Sequence, residues 1–224
     1  MNFKKNILAI DTSLHSCSIS LLYKKKIYSL FKLCSNAHEK NIFYMIKKIL
    51  IQSNTTLDEI NFIACTIGPG SFTGIRISIG ISQTISTIYN IPIIGFSTLK
   101  ILSEQSWRKN YVKNVLLIIK ISKNQIFWAK YIKNKIGLWI GEHTEKLFSN
   151  MNIIKKKIKK YTGKWSLIGF EKKIKKNFKK SVKLFQTNIF TPHSNDIITY
   201  AVKYLLLYKK YNIKQIYPKY LYKI

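Results

Sequence analysis

The chain has 224 residues, room for two domains of roughly 110 residues each, and at that size a core forms without help from disulfides or metals. Hydrophobic residues make up 46% of it, which excludes a disordered chain, and 39 Lys and Arg against 9 Asp and Glu give a net charge of +30. The three cysteines, Cys17, Cys34 and Cys65, are widely spaced and form no CxxC pair, a reduced-compartment pattern that offers no zinc knuckle.

Residues 5–10 are mostly apolar and run into Asp11-Thr12-Ser13, a turn whose side chains can bond their own backbone. Alternation over Ser16 to Tyr23 and again over Lys26 to Leu33 predicts a hairpin after this first strand. From His38 the period becomes helical, with Ile42, Met45, Ile46 and Ile49 on one stripe. A loop at Asn54-Thr55-Thr56 and a buried strand from Phe62 to Ile67 precede the heptapeptide Gly68-Pro69-Gly70-Ser71-Phe72-Thr73-Gly74. A second helix follows to about Tyr89, then a strand from Ile91 to Phe96 and a third helix that Ser97 caps and that ends near Trp107. The order β-β-β-α-β-α-β-α predicts a mixed sheet covered by helices.

After a basic stretch at 108–114, strands are expected at Val115 to Ile121, Gln125 to Ile132 and Lys135 to Ile140. A lysine-rich helix from about Asn150 to Tyr161, a strand at Leu167 to Phe170 and a last helix from Ser194 to Leu207 follow, and the tail at Tyr217 to Leu221 reads as extended. The expected domains are 1–108 and 109–224.

The charge has a source outside function. Arg76 and Arg108 are the two arginines, and 39 Ile and 17 Asn stand against 4 Val and 5 Ala, the signature of AT-rich codons. A nucleic-acid binder spends Arg at its contacts, because the planar guanidinium matches phosphate and guanine. An acidic or RNA partner stays open. Lys4 and Lys5 precede an apolar run that Asp11 cuts after four residues, too short for a signal peptide, and the uncharged stretch from Ile77 to Leu99 is too polar to span a bilayer. A cytoplasmic protein with no membrane contact is expected.

The heptapeptide is the most informative stretch. Three glycines ahead of a helix permit close backbone approach and leave amide N–H groups free, the makings of an anion cradle from Gly68 to Gly74 together with Asp11, Thr12 and Ser13. It is neither a Walker loop, because Ile75-Arg76 follows Gly74 where Lys-Ser or Lys-Thr would be needed, nor a dinucleotide fingerprint. A tight strand-to-helix turn without a ligand reads equally well. His38-Glu39-Lys40-Asn41-Ile42 begins like a zinc peptidase motif but lacks its second histidine, and His15, His143 and His193 are scattered singly. No GxSxG or nucleophile triad is present, so neither a metal site nor a catalytic residue is expected.

Ile7-Leu8-Ala9-Ile10-Asp11-Thr12-Ser13, Cys17-Ser18, Leu33-Cys34 with His38, Gly68 to Gly74 with Arg76, and Ile91-Pro92-x-x-Gly95-x-Ser97-Thr98-Leu99 together resemble the TsaB (YeaZ) family. Trp107-Arg108-Lys109-Asn110, Trp128-Ala129 and Pro218-x-Tyr220-Leu221 extend the match, which is dense over 7–110 and thin over about 133–190. The resemblance implies an α/β fold of two related actin-like (ribonuclease H-like) domains, each a mixed sheet with helices, the second reduced. It implies a non-catalytic relative of TsaD that works with TsaD and TsaE. Together they place a threonylcarbamoyl group on the adenosine next to the anticodon, in tRNAs reading codons that begin with A.

Two histidines that hold a metal in the catalytic relative correspond to about Thr98 and Leu102 here, and Leu102 cannot ligate. Residues 111–224 contain Gly137, Gly141, Gly163 and Gly169, none adjacent, so no phosphate loop is expected there. Hence no cofactor of its own is expected, with ATP and metal on TsaD. Lys120 and Ser122 stand where many family members have Asp and Arg, which leaves the role of that pair open.

The expected partner surface is on the first two helices: Ile42, Met45, Ile46 and Ile49 from one, Arg76, Ile79, Gly80 and Gln83 from the other. Gly80 costs about 1 kcal/mol relative to Ala inside a helix, which argues for close helix approach. The same patch would make a homodimer in isolation and a heterodimer with TsaD, with tRNA reached through the complex. Two alternatives remain: a small ATP-binding phosphotransferase or hydrolase working through Asp11, Thr12 and the glycine loop, and a tRNA-binding subunit whose lysines at 155–160 and 172–180 track phosphates.

Overall fold

The computed structural model describes residues 3–34, 38–122, 124–169, 176, 178–208 and 215–221. The chain divides into two compact units, Met1–Ile101 with Thr191–Tyr220 and Leu102–Phe190 with Leu221–Ile224.

The first unit contains β1 (Ile7–Asp11), β2 (Ser16–Tyr23), β3 (Lys26–Leu33), α1 (His38–Ser53), β4 (Phe62–Gly68), α2 (Phe72–Tyr89) and β5 (Ile93–Ser97). Its sheet has the order β3-β2-β1-β4-β5, antiparallel across β1–β2 and β2–β3, parallel across β1–β4 and β4–β5. All five residues of β1 and all eight of β2 are buried, as expected of inner strands covered on both faces. Edge strand β3 is mostly exposed and carries Lys26 and Lys32, which blunt the free edge.

Side chains alternate across a strand, and the sheet sorts its covers accordingly. Cys17, Ile19 and Leu21 of β2 join one core with Ile42, Met45, Ile46 and Ile49 of α1 and Ile75, Ile79 and Ile85 of α2. Ser18 and Ser20 point the other way and meet a helix from the chain's far end, α5 (Ser194–Leu207): the Ser194 hydroxyl lies 2.8 Å from that of Ser18 and 2.7 Å from that of Ser20. The Ser194 amide donates to Ser18 Oγ at 2.9 Å, so a strand hydroxyl satisfies one of the helix's first amides. Phe96 packs edge-on against Tyr200 and Tyr204 of α5.

The second unit holds most of α3 (Thr98–Asn110), then β6 (Asn114–Ser122), β7 (Gln125–Lys133), β8 (Trp139–Ile140), β9 (Lys146–Phe148), α4 (Met151–Ile158), β10 (Gly163–Ile168) and β11 (Val182–Gln186). Its sheet order is β11-β10-β6-β7-β8, with β9 also pairing β7. Numbered from its own first strand, this unit repeats the first: an antiparallel run of three positions, then two strands added in parallel on the other side of the first. The expected pair of related mixed-sheet domains is what the chain builds.

Three expectations change. The strand expected at Lys135 to Ile140 shrinks to two residues, because Asn134 closes a turn: Gly137 N donates to its carbonyl and Leu138 N to its Oδ1. The strand expected from Leu167 starts at Gly163, while its expected end at Phe170 lies outside the described residues. The division expected at 108 falls inside α3, and residues 191–220 pack with the first unit instead of the second, because α5 covers β1, β2 and β4.

Candidate functional site

The turn after β1 and the loop before α2 lock together. Asp11 is fully buried, and its Oδ1 accepts from Thr66 Oγ1 at 2.5 Å, from Ser13 Oγ at 2.6 Å and from the Ser13 amide at 3.3 Å. Thr12 Oγ1 donates to the Gly74 carbonyl at 2.6 Å, and the Ser71 amide to the Ser13 carbonyl at 2.7 Å. A Cβ on Gly70 would overlap the Ser13 carbonyl oxygen, one on Gly74 the Thr12 carbonyl oxygen, and one on Gly68 (φ +111°) the Lys219 carbonyl oxygen. At each of these glycines a backbone carbonyl of the chain sits where a side chain would begin, so glycine is required for the turn and the loop to pack this closely. Pro69 is buried as well, and Ser71 caps α2 by accepting from the Gly74 amide. The stretches expected as a cradle, Asp11 to Ser13 and Gly68 to Gly74, pack against each other as a tight joint, with Ser71, Phe72 and Thr73 as its exposed rim.

Beyond that rim a groove of about 620 Å³ opens between α1 and α2. Its walls include Glu39 and Phe43 from α1 and Phe72, Thr73, Arg76, Ile77, Gly80 and Thr84 from α2. Nothing lies within 4 Å of where a Gly80 Cβ would be, so this glycine lowers the floor of an open surface. Of the expected partner surface, Gly80 and Arg76 are exposed, while Ile42, Met45, Ile49 and Ile79 belong to the core. Ile46 is 8% exposed and reaches the groove only from beneath. The correction is geometric: a 3.6-residue stripe marks the face turned to the protein's own sheet, and the outer face carries the residues off the stripe. Those residues are Phe43 (60% exposed), Tyr44 (64%), Ile51 (70%), Phe72 (56%) and Ile88 (68%). Their signal in the sequence was apolar residues on the wrong side of an otherwise complete stripe.

The tail frames one side of α2. Gln83 Nε2 donates to the Ile216 carbonyl at 3.1 Å, the Lys219 amide donates to the Ile67 carbonyl at 2.7 Å, and Arg76 Nε donates to Tyr220 Oη at 3.3 Å. The Arg76 guanidinium sits 3.7 Å above the Phe72 ring, which in turn stacks on Tyr220. Gln83 thus binds the tail, and Arg76 serves both tail and groove.

In the second unit Glu104 and Lys133 form a buried ion pair, and Trp139 Nε1 donates to the same Glu104 oxygen at 2.7 Å. The Lys133 ammonium lies 4.5 Å from the Trp139 ring centre and 5.3 Å from that of Trp107. On the α4 side of this unit a second cavity, of about 670 Å³, is lined by lysines and aromatic rings. Among the described residues no three His, Cys, Asp or Glu are grouped to hold a metal ion, and no helix is long and apolar enough to cross a membrane.

The family model for TsaD, tRNA N6-adenosine threonylcarbamoyltransferase, matches residues 31–217. The chain is 45% identical over 195 residues to the tRNA threonylcarbamoyladenosine biosynthesis protein TsaB of Buchnera aphidicola subsp. Schizaphis graminum, covering 87% of this chain and 91% of that one. The chain belongs to the TsaB family. It is also 38% identical over 163 residues to TsaB of Escherichia coli K12, covering 73% of this chain and 70% of that one. Its fold matches that of YeaZ from Pseudomonas aeruginosa at a TM-score of 0.79 and 23% identity, over 97% of this chain and all of that one.

Proposed function

We propose that the chain is a non-catalytic scaffold subunit in the biosynthesis of tRNA threonylcarbamoyladenosine, and that the groove between α1 and α2 receives helices of TsaD. The observation that carries this reading is the open groove over Gly80, with the more than half exposed rings of Phe43 and Phe72 in its walls and with Tyr44 and Ile88 exposed on the same two helices. Large exposed apolar side chains clustered on two helices mark a protein interface. TsaD belongs to the family whose model this chain matches, so its helices offer a related face; the same face on a second copy gives a homodimer when TsaD is absent. TsaE completes the assembly. The tight joint at Asp11, Thr12, Gly70 and Gly74 gives these residues a packing role that needs no phosphotransfer chemistry.

Gly80→Arg places a long cation in the groove without touching the core. It is expected to abolish co-purification with TsaD and self-association while leaving the lone chain at least as stable to heat as the parent, since arginine also removes a mid-helix glycine; retained co-purification would refute the groove as the interface. The functional test is modified adenosine, measured by mass spectrometry, in a reaction of TsaD, TsaE, tRNA and threonylcarbamoyl-adenylate with and without this chain. Product is expected only when the chain is present. Micromolar Mg-ATP binding by the lone chain would instead revive the phosphotransferase reading.

A further inference from the structure

The cavity on the α4 side of the second unit combines features that the scaffold role does not use. Trp128 and Trp165, 4% and 6% exposed, make its floor, and the half-buried Tyr161 stands beside them, 4.8 Å from Trp165. Lys130 of β7 projects over these rings, its ammonium 5.9 Å from the Tyr161 centre and 6.0 Å from that of Trp165. Lys146, Lys157 and Lys160 stand around it, and the lining contains no carboxylate. The adjacent Glu145 is turned away and buried, accepting from Tyr131 Oη. Codon bias accounts for many lysines, but it does not gather four of them around one cavity or seat one on ring faces instead of in solvent.

We propose that this basin binds a phosphodiester segment of RNA, with Lys130 as the central phosphate contact and Tyr161 as the ring beside which a sugar or base lies. Convergent ammonium groups repel one another, and an anion relieves that repulsion. The exposed Lys156, Lys157, Lys159 and Lys160 carry the basic surface along and past α4, whose eight residues span about 12 Å. That length suits a polymer of phosphates better than a single nucleotide. Lysine supplies point charges in place of the bidentate fork that reads guanine, so binding is blind to sequence. The choice of RNA rests on the proposed role in tRNA modification.

The test uses the full chain alone with unmodified tRNA. Lys130→Gln with Lys160→Gln is expected to weaken binding tenfold or more and to flatten the slope of log affinity against log salt by about 1 to 2, the loss of one or two phosphate contacts. Lys4→Gln with Lys5→Gln removes the same charge from exposed positions in the first unit and is expected to change affinity less than threefold. Equal losses in the two pairs would overturn the basin as the site, since any chain of this charge binds RNA weakly. Lys157→Gln with Lys160→Gln, both exposed at the cavity's edge, repeats the test without touching Lys130. ATP or inorganic phosphate is expected not to displace tRNA at matched ionic strength, and displacement would overturn a polymer as the occupant. Because no TsaD is present, loss of the basin leaves the reconstituted reaction to judge the scaffold role separately.

Discussion

Glycines at positions 74 and 80 lie in one helix and do opposite things. Gly74 has no room for a methyl group, because the Thr12 carbonyl occupies that space; Gly80 faces open groove. Gly74→Ala must push apart the turn after β1 and the start of α2, and a cost of about 2–3 kcal/mol is expected, typical of overpacking against backbone. Gly80→Ala removes the entropy penalty of a mid-helix glycine and is expected to stabilise the lone chain by about 1 kcal/mol. Urea unfolding of both variants, at concentrations where the chain is monomeric, checks the pair; a Gly74→Ala protein as stable as the parent would refute the joint. The heptapeptide announced a glycine requirement in the sequence, but not what approached the glycines. The partners of Gly70 and Gly74 sit about 60 residues earlier in the chain and that of Gly68, Lys219, about 150 residues later, beyond the reach of local pattern.

Helices and strands show the same division between what periodicity reveals and what it hides. In the first unit, long apolar runs made each element and its order legible, including the crossover helices. In the second, β9 and β11 were missed: Lys146-Leu147-Phe148 is three residues long, and in Val182-Lys183-Leu184-Phe185-Gln186 the lysine and glutamine dilute the alternation. The core stripes of α1 and α2 were read correctly and assigned to the wrong neighbour, since spacing tells which residues share a face but not what covers it. The groove and basin are tertiary features that no single segment shows. At α3 the anchoring is ionic. Replacing Lys133 by Met removes the ammonium from the buried Glu104 carboxylate while the Trp139 indole still donates to it, and a loss of about 3–5 kcal/mol is expected. Adding Glu104→Gln should recover much of it, because a neutral amide no longer needs the ammonium. A double variant no more stable than the single would show that packing, and not charge, sets the cost.

Across the whole molecule, a charge of +30 meets few compensating carboxylates. Self-repulsion at that density destabilises the compact state, and salt screens it. Raising potassium chloride from about 50 mM to about 500 mM is expected to stabilise the chain. The expected size is about 1 kcal/mol, or roughly 2–4 °C in the melting temperature of a chain this long. A melting temperature that falls with salt would mean that attractive ion pairs dominate instead.

One arrangement within the first unit has a consequence for its birth. Strands β1, β2 and β4 leave the ribosome early, but the helix that covers one face of them, α5, is encoded at the far end, with residues 102–190 in between. At about 5–20 residues per second, translation of that interval takes on the order of ten seconds. Throughout it, the serine-studded face of the first sheet waits uncovered, so a nascent chain stalled or truncated before residue 194 is a natural client for chaperones and proteases.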